Sequence, residues 1–172
     1  RLRSRGLGDV YKRQDLNTEL CYSSYAKANH LEEGECLIDY LFQLEDQAKK
    51  FAAAYFEAPG MCLPGVMDLQ GNPLGGWPMY ALSPTNQLWL CHLIKKHSDY
   101  LGDQAFLEQK AYPYIKECAK LILALLVRDE NGELTLPLSS SPEIHDNTLK
   151  AWLAPNSNYD LALMRCLFED LY

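Results

Sequence analysis

The sequence predicts an all-α domain of paired helices whose long loops collect at one end. Three observations carry this. Apolar residues recur at steps of three and four over 35–57 and again over 86–101, the spacing of one helix face. A wholly apolar run, Leu121 to Val127, closes a third helical stretch. Between helices, tight punctuation alternates with the long segments 58–85 and 128–157. The 172 residues suffice for one domain, which takes about 100–200, and 48% hydrophobic content supplies a packed core.

Taken in order, residues 1–14 (RLRSRGLGDVYKRQ) hold five of the sixteen basic residues and one of the twenty-three acidic ones. They contain no apolar stretch of the kind a secretory signal needs. Asp9 to Gln14 is what GATGTGTATAAGAGACAG encodes, a string that resembles a transposon end used in sequencing-library adapters. Residues 1–14 are therefore expected to be translated adapter, with the natural chain cut near residue 15. Asp15-Leu16-Asn17-Thr18-Glu19 follows. In an extended segment alternate side chains share a side, so Asp15, Asn17 and Glu19 are expected to face one way. Two carboxylates and an amide there suit the holding of a water; a polar stretch without a role fits the same residues.

The helix over 35–57 presents Leu37, Tyr40, Leu41, Leu44, Ala48, Phe51, Ala52 and Tyr55 on one side. The helix over 86–101 repeats the pattern with Leu88, Cys91, Leu93, Ile94, His97 and Leu101, and Gly102 then stops it. Asp103 is a good N-cap for a helix beginning at Gln104. Pro113 suits the first turn of a fresh helical stretch to about Val127. Being apolar all round at Leu121 to Val127, that stretch is expected to be deeply buried. Asn131-Gly132 predicts a turn between extended flanks. A last helix starts near Asn158 or Tyr159 and meets no stop signal, so the natural chain is expected to continue. Segment 58–85 holds five of the nine prolines and five of the ten glycines. Loops of that length are usually functional. Strict repeats are absent, which argues against a regular solenoid.

Several function classes fall away. Seven apolar residues do not cross a bilayer, which takes roughly 20. Beyond residue 14 the chain carries 11 basic and 22 acidic groups, a net of -11. Such a body repels phosphate backbones, so no nucleic-acid partner is expected. No two of the six cysteines stand in CxxC spacing, and the four histidines show no metal spacing. GxSxG, Walker and dinucleotide glycine patterns are all missing. Neither metal nor cofactor is expected. Cys91, Cys118 and Cys166 fall on apolar helix faces, where buried free thiols are usual.

Chemistry concentrates in the loops. In Leu136 to Glu143 a carboxylate follows Pro142 in a polar segment leaving an apolar helix. A solvated loop glutamate explains this, and so does a general acid. In the second reading proline stiffens the approach and the nearby Trp152 desolvates the carboxyl, raising its pKa. Asp160, in Ala154 to Asp160, is electrostatically at home near a helix N-terminus. Trp77 and Trp152, in loops, suit aromatic platforms for the apolar faces of sugars; Trp89, on a helix, suits the core.

In this order the segments resemble the catalytic domain of glycoside hydrolase family 95, which includes inverting alpha-L-fucosidases built on an (α/α)6 toroid. Asp15 to Leu20 resembles the family's Asn-x-Asn-Thr-Glu-Met segment. Gly76-Trp77-Pro78-Met79 and Trp89-Leu90-Cys91 with His97 and Gly102-Asp103 resemble its middle helices, and Phe106-Leu107, Tyr112-Pro113 and Lys116-Glu117 continue the match. Ser139 to Glu143 resembles its Ser-Pro-Ser-x-Ser-Pro-Glu loop, and Asp160 falls where the family has an aspartate opening the next helix. The similarity covers nearly all of residues 15–172.

The resemblance implies a partial six-hairpin toroid from an exo-acting enzyme that removes a terminal alpha-L-fucosyl or closely related residue from oligosaccharides or glycans. By it Glu143 protonates the leaving oxygen and Asn17 orients the attacking water. Asp15 replaces the family's first asparagine and either acts as base or alters the site. The family's partner aspartate comes from a later segment, so the fragment alone is expected to be inactive. Glu19, Trp77, Trp152 and Asp160 become substrate-binding candidates. An inverting pair stands roughly 6.5–9.5 Å apart. Tyr22-Ser23-Ser24 replaces the family's Tyr-Trp-Pro, and Ile144 its asparagine, which bears on the sugar read; alpha-L-galactose differs from L-fucose by one hydroxyl. Secretion or periplasmic export in a bacterium is implied by the family's substrates. The alternatives are another six-hairpin glycosidase, a phosphorylase using His145 and Lys150, and a catalytically silent carbohydrate-binding descendant.

Overall fold

A computed structural model describes residues 16–141, 148, 152–153 and 156–172, and most of these are helical. The helices are α1 (Leu16–Cys21), α2 (Leu31–Gln43), α3 (Glu45–Phe56), the single turn α4 (Pro78–Ala81), α5 (Asn86–Leu101), α6 (Gln104–Phe106), α7 (Tyr112–Leu125) and α8 (Asn158–Leu171). Two short antiparallel ladders join β1 (Val127–Arg128) to β2 (Leu134–Thr135) and β3 (Ser139–Ser140) to β4 (Trp152–Leu153). Among the described residues no helix is long and apolar enough to cross a membrane.

The centre of the packing is α5, which touches α1, α2, α7 and α8. Its inward residues Leu88, Cys91 and Ile94 meet Ile38 and Leu41 of α2, Ile115, Cys118 and Ile122 of α7, and Met164 and Leu167 of α8 in one core. Burying a large aliphatic side chain is worth about 1.5–3 kcal/mol. The stripes legible in the sequence are thus what holds the helices together.

The expected helix over 35–57 is two helices. It begins earlier, at Leu31, and is interrupted at Leu44, whose N–H bonds Leu41 O at 3.2 Å. The buried stripe Leu37, Leu41, Leu44, Ala48 runs straight through the interruption, which is why periodicity conceals it. Pro113 stands in the first turn of α7, as expected, but no break sets that helix apart from α6. A π-helical turn, Leu107–Ala111, joins α6 to α7 instead. Proline has no N–H to donate and its ring crowds the carbonyl four residues back; a widened turn absorbs the mismatch without breaking the rod. The apolar end of α7 is also less buried than expected. Leu121 and Ile122 are interior, whereas Leu123 is 58% exposed and Val127 46% exposed. Cys91 and Cys118 are buried as expected and Cys166 only partly; Cys62, in a loop, is fully buried.

The connections fall into two kinds. Residues 22–30 and Gly102-Asp103 are short and belong to the C-terminal end of α5: Lys96 Nζ donates to Ser23 O at 3.1 Å, and Tyr25 Oη meets His97 Nδ1 at 2.9 Å. Gly102 takes φ +67°, the left-handed stop, and Asp103 accepts from Ala105 N and Phe106 N as an N-cap. The segments 57–85 and 126–157 lead instead into the N-termini of α5 and α8. Segment 57–85 is a packed strap. Met61, Cys62, Leu63 and Met67 are fully buried, and Leu63 N donates to Gln87 Oε1 at 3.1 Å. At Gly60 (φ +94°) the strap passes so close to α7 that a Cβ would stand 2.5 Å from Glu117 O and from Leu121 N.

Candidate active site

The described residues place the sequence candidates in different surroundings. Asp15 and Glu143 lie outside them, as do His145 and Lys150. The extended geometry expected for the first cluster is replaced by a helix, α1. Residues two apart on a helix point to nearly opposite sides, so Asn17 is exposed while Glu19 is 1% exposed. Thr18 of α1 and Tyr22 just after it open onto a cavity of about 290 Å³ shared with Cys36, Leu37, Tyr40 and Leu69. The alternation argument failed because the polar run DLNTE carries no apolar period to betray a helix.

Asp160 is the most heavily bonded carboxylate among the described residues, and only 2% of it is exposed. Ser157 caps α8 and accepts from Asp160 N at 3.0 Å; the aspartate sits three residues on, where the helix dipole favours an anion. Thr85 Oγ1 donates to its Oδ1 at 2.5 Å. On Oδ2, Ser139 Oγ donates one bond and Ser140 N another at 3.1 Å. Ser157 Oγ, 2.9 Å from Oδ2 and 2.7 Å from Ser140 O, shares its one proton between them. Ser139 Oγ in turn accepts from Ser157 N at 2.6 Å. One carboxylate therefore joins the start of α5, the start of α8 and strand β3. Beside it, Tyr159 Oη donates to Asn86 Oδ1 at 2.6 Å.

Strand β3 pairs through Ser139 with Leu153 and through Ser140 with Trp152. This ladder closes the loop that contains Glu143, three residues after Ser140 in sequence. Trp77 is the other aromatic candidate. It precedes α4 with Pro78 at the first helical position, remains 42% exposed, and stacks on Tyr80 at 6.0 Å and 21°. Trp89 is partly buried against the core, as its helical position suggested.

Sequence reasoning passed over Thr85, Ser139 and Ser157 as partners. Ser157-x-x-Asp160 is a capping box, and that signal was available. Thr85 carries no such mark, because its contact spans 75 residues. His92 and His97 serve pairing and packing: His92 Nδ1 meets Asp170 at 2.9 Å, and burial holds His97 below the ordinary histidine range. Burial likewise pushes the Cys62 and Cys118 thiols up, so they stay protonated. Among the described residues no group of three or more His, Cys, Asp or Glu is arranged to hold a metal ion.

The helical core thus presents Trp77 before one helix and Asp160 in the first turn of another, and comparison with known proteins supplies the family. The family described as the glycosyl hydrolase family 95 catalytic domain matches residues 11–172, and this chain belongs to it. The match begins inside the segment 1–14 that the sequence reads as adapter. Alpha-L-fucosidase 2 of Arabidopsis thaliana is 29% identical over 163 residues, covering 91% of this chain and 19% of that protein. Probable alpha-fucosidase A of Aspergillus niger is 36% identical over 69 residues, covering 38% of this chain and 9% of that protein. The chain thus spans a fifth or less of the curated relatives it matches.

Proposed function

We propose that this chain is the part of an inverting exo-alpha-L-fucosidase that supplies the general acid and the water-orienting amide, working on the terminal fucosyl residue of an oligosaccharide or glycan. The observation that carries the reading is the convergence of both long segments on the N-termini of α5 and α8, with the stem of the Glu143 loop bonded there through Asp160. The names of both relatives, each a fucosidase, support the sugar.

In this mechanism Glu143, as the neutral acid, donates its proton to the glycosidic oxygen as the C1–O bond breaks. Asn17 orients a water on the opposite face. Asp15, in the place of the family's first asparagine, takes one proton from the water as the water oxygen bonds C1 and the protonated sugar alcohol leaves. Asn17 is exposed in the first turn of α1. Its neighbour Thr18 lines a cavity together with Leu69 of the long segment 57–85. That contact supports a place for Asn17 near the long loops. Trp77 and Trp152 are the proposed sugar platforms; Glu19 supports α1 from the interior.

The test is Glu143→Gln in the whole protein with a fucosylated oligosaccharide. General acid catalysis contributes roughly 10²–10⁴-fold, and kcat should fall within that span. Unchanged turnover would overturn the acid assignment. The anomer released first, read by NMR, should be β for inversion; an α product would overturn that part.

A further inference from the structure

We propose that Asp160 is a positioning residue for the acid loop rather than a group that touches sugar. The inference rests on the reading of Glu143 as general acid. A group that contacts substrate must open onto the pocket. Asp160 is 2% exposed, and both its oxygens accept bonds from the protein. Two of those donors, Ser139 and Ser140, belong to the stem of one loop. Ser139 and Ser140 form the strand that pairs with Leu153 and Trp152, and Glu143 follows Ser140 by three residues. The same carboxylate binds Thr85 at the entry of α5 and caps α8 with Ser157. The stem is therefore tied to the entries of both α5 and α8. A general acid works only when its proton lies within hydrogen-bonding reach of the leaving oxygen, and small displacements cost large factors in rate.

The consequence is selective. Displacing the acid slows leaving groups that need protonation and spares those that do not. In the whole protein, Asp160→Asn keeps the shape but puts an N–H₂ against donors on one side. We expect kcat for a fucosylated oligosaccharide, whose leaving group is a sugar alcohol, to fall roughly tenfold or more. With a nitrophenyl α-L-fucoside, whose phenolate leaves with little help, kcat should change by less than about threefold, and KM should hold for both. Ser139→Ala, which removes one arm of the tether, should show the same split and carries the test if Asp160→Asn does not fold. Equal losses on both substrates, or a rise in KM alone, would overturn the proposal and make Asp160 a scaffold or sugar contact. Glu143→Gln is the control. If it too lacks the leaving-group split, the acid assignment itself has failed; if it shows the split and the Asp160 and Ser139 variants do not, only the positioning role has failed.

Discussion

At the C-terminal end of α5 the turn into the next helix is made by local means, with Lys96 and His97 reaching back to residues 23 and 25, whereas at the N-terminal end the long loops themselves are held by distant, buried bonds. Gly102 and Asp103 end one helix and start the next through bonds within four residues. At the opposite end Gln87 binds a backbone N–H 24 residues away and the Tyr114 hydroxyl 27 away, and Thr85 binds a carboxylate 75 away. Local turns need only the right residue types. Long loops expose backbone polar groups that buried side chains must satisfy. The difference teaches where a candidate site can be built: the end that requires buried polar side chains for its shape also carries the loops available for chemistry.

Substitutions should separate the two ends, and the largest loss belongs to the long-loop end. Gly60→Ala forces a Cβ against the backbone of α7 in a left-handed conformation. Overpacking and the conformational penalty together should cost roughly 3 kcal/mol or more, read by urea unfolding; a loss below about 1 kcal/mol would mean the strap shifts freely. Gln87→Met leaves Leu63 N and the Tyr114 hydroxyl without their buried partner, a loss of about 2 kcal/mol by the same measurement. At the short-turn end, Asp103→Ala removes only a cap and should cost about 1 kcal/mol. If it matched Gly60→Ala, the contrast between the ends would collapse.

The smallest effect is a pH dependence at the short-turn end. Burial holds the folded His97 pKa below its ordinary 6.5, against the opposing pull of Glu35 and Asp39. The unfolded chain then binds a proton more readily than the folded one. Stability linked to neutral His97 is complete above about pH 6.5 and is lost as pH falls toward the lowered folded value. Urea midpoints at pH 7.5 and 5.5 should differ less in His97→Gln than in the parent. An unchanged difference would assign the slope to other groups.

The glycine stop and aspartate cap of 102–103, the helix over 86–101 and the start of α8 near Asn158 were all legible, because each rests on residues close in sequence. The loop ending at Glu143 drew attention through its resemblance to a family motif, and Glu143 itself lies outside the described residues. The helix of α1 was not legible, since a polar pentapeptide has no period. Nor was the continuity through Pro113, because the relief comes from a π turn that residue types do not announce. Asp160 was visible as a helix-start acid, but its burial was invisible: three of its partners come from segments that only folding brings together.

Apolar spacing and capping chemistry thus set the helices and their sharp ends, since these depend on neighbours within a turn or two. The tertiary structure alone decided that the loop stem, the entry of α5 and the cap of α8 share one buried carboxylate. A desolvated anion must collect every donor within reach, and which donors those are depends on how the helices pack.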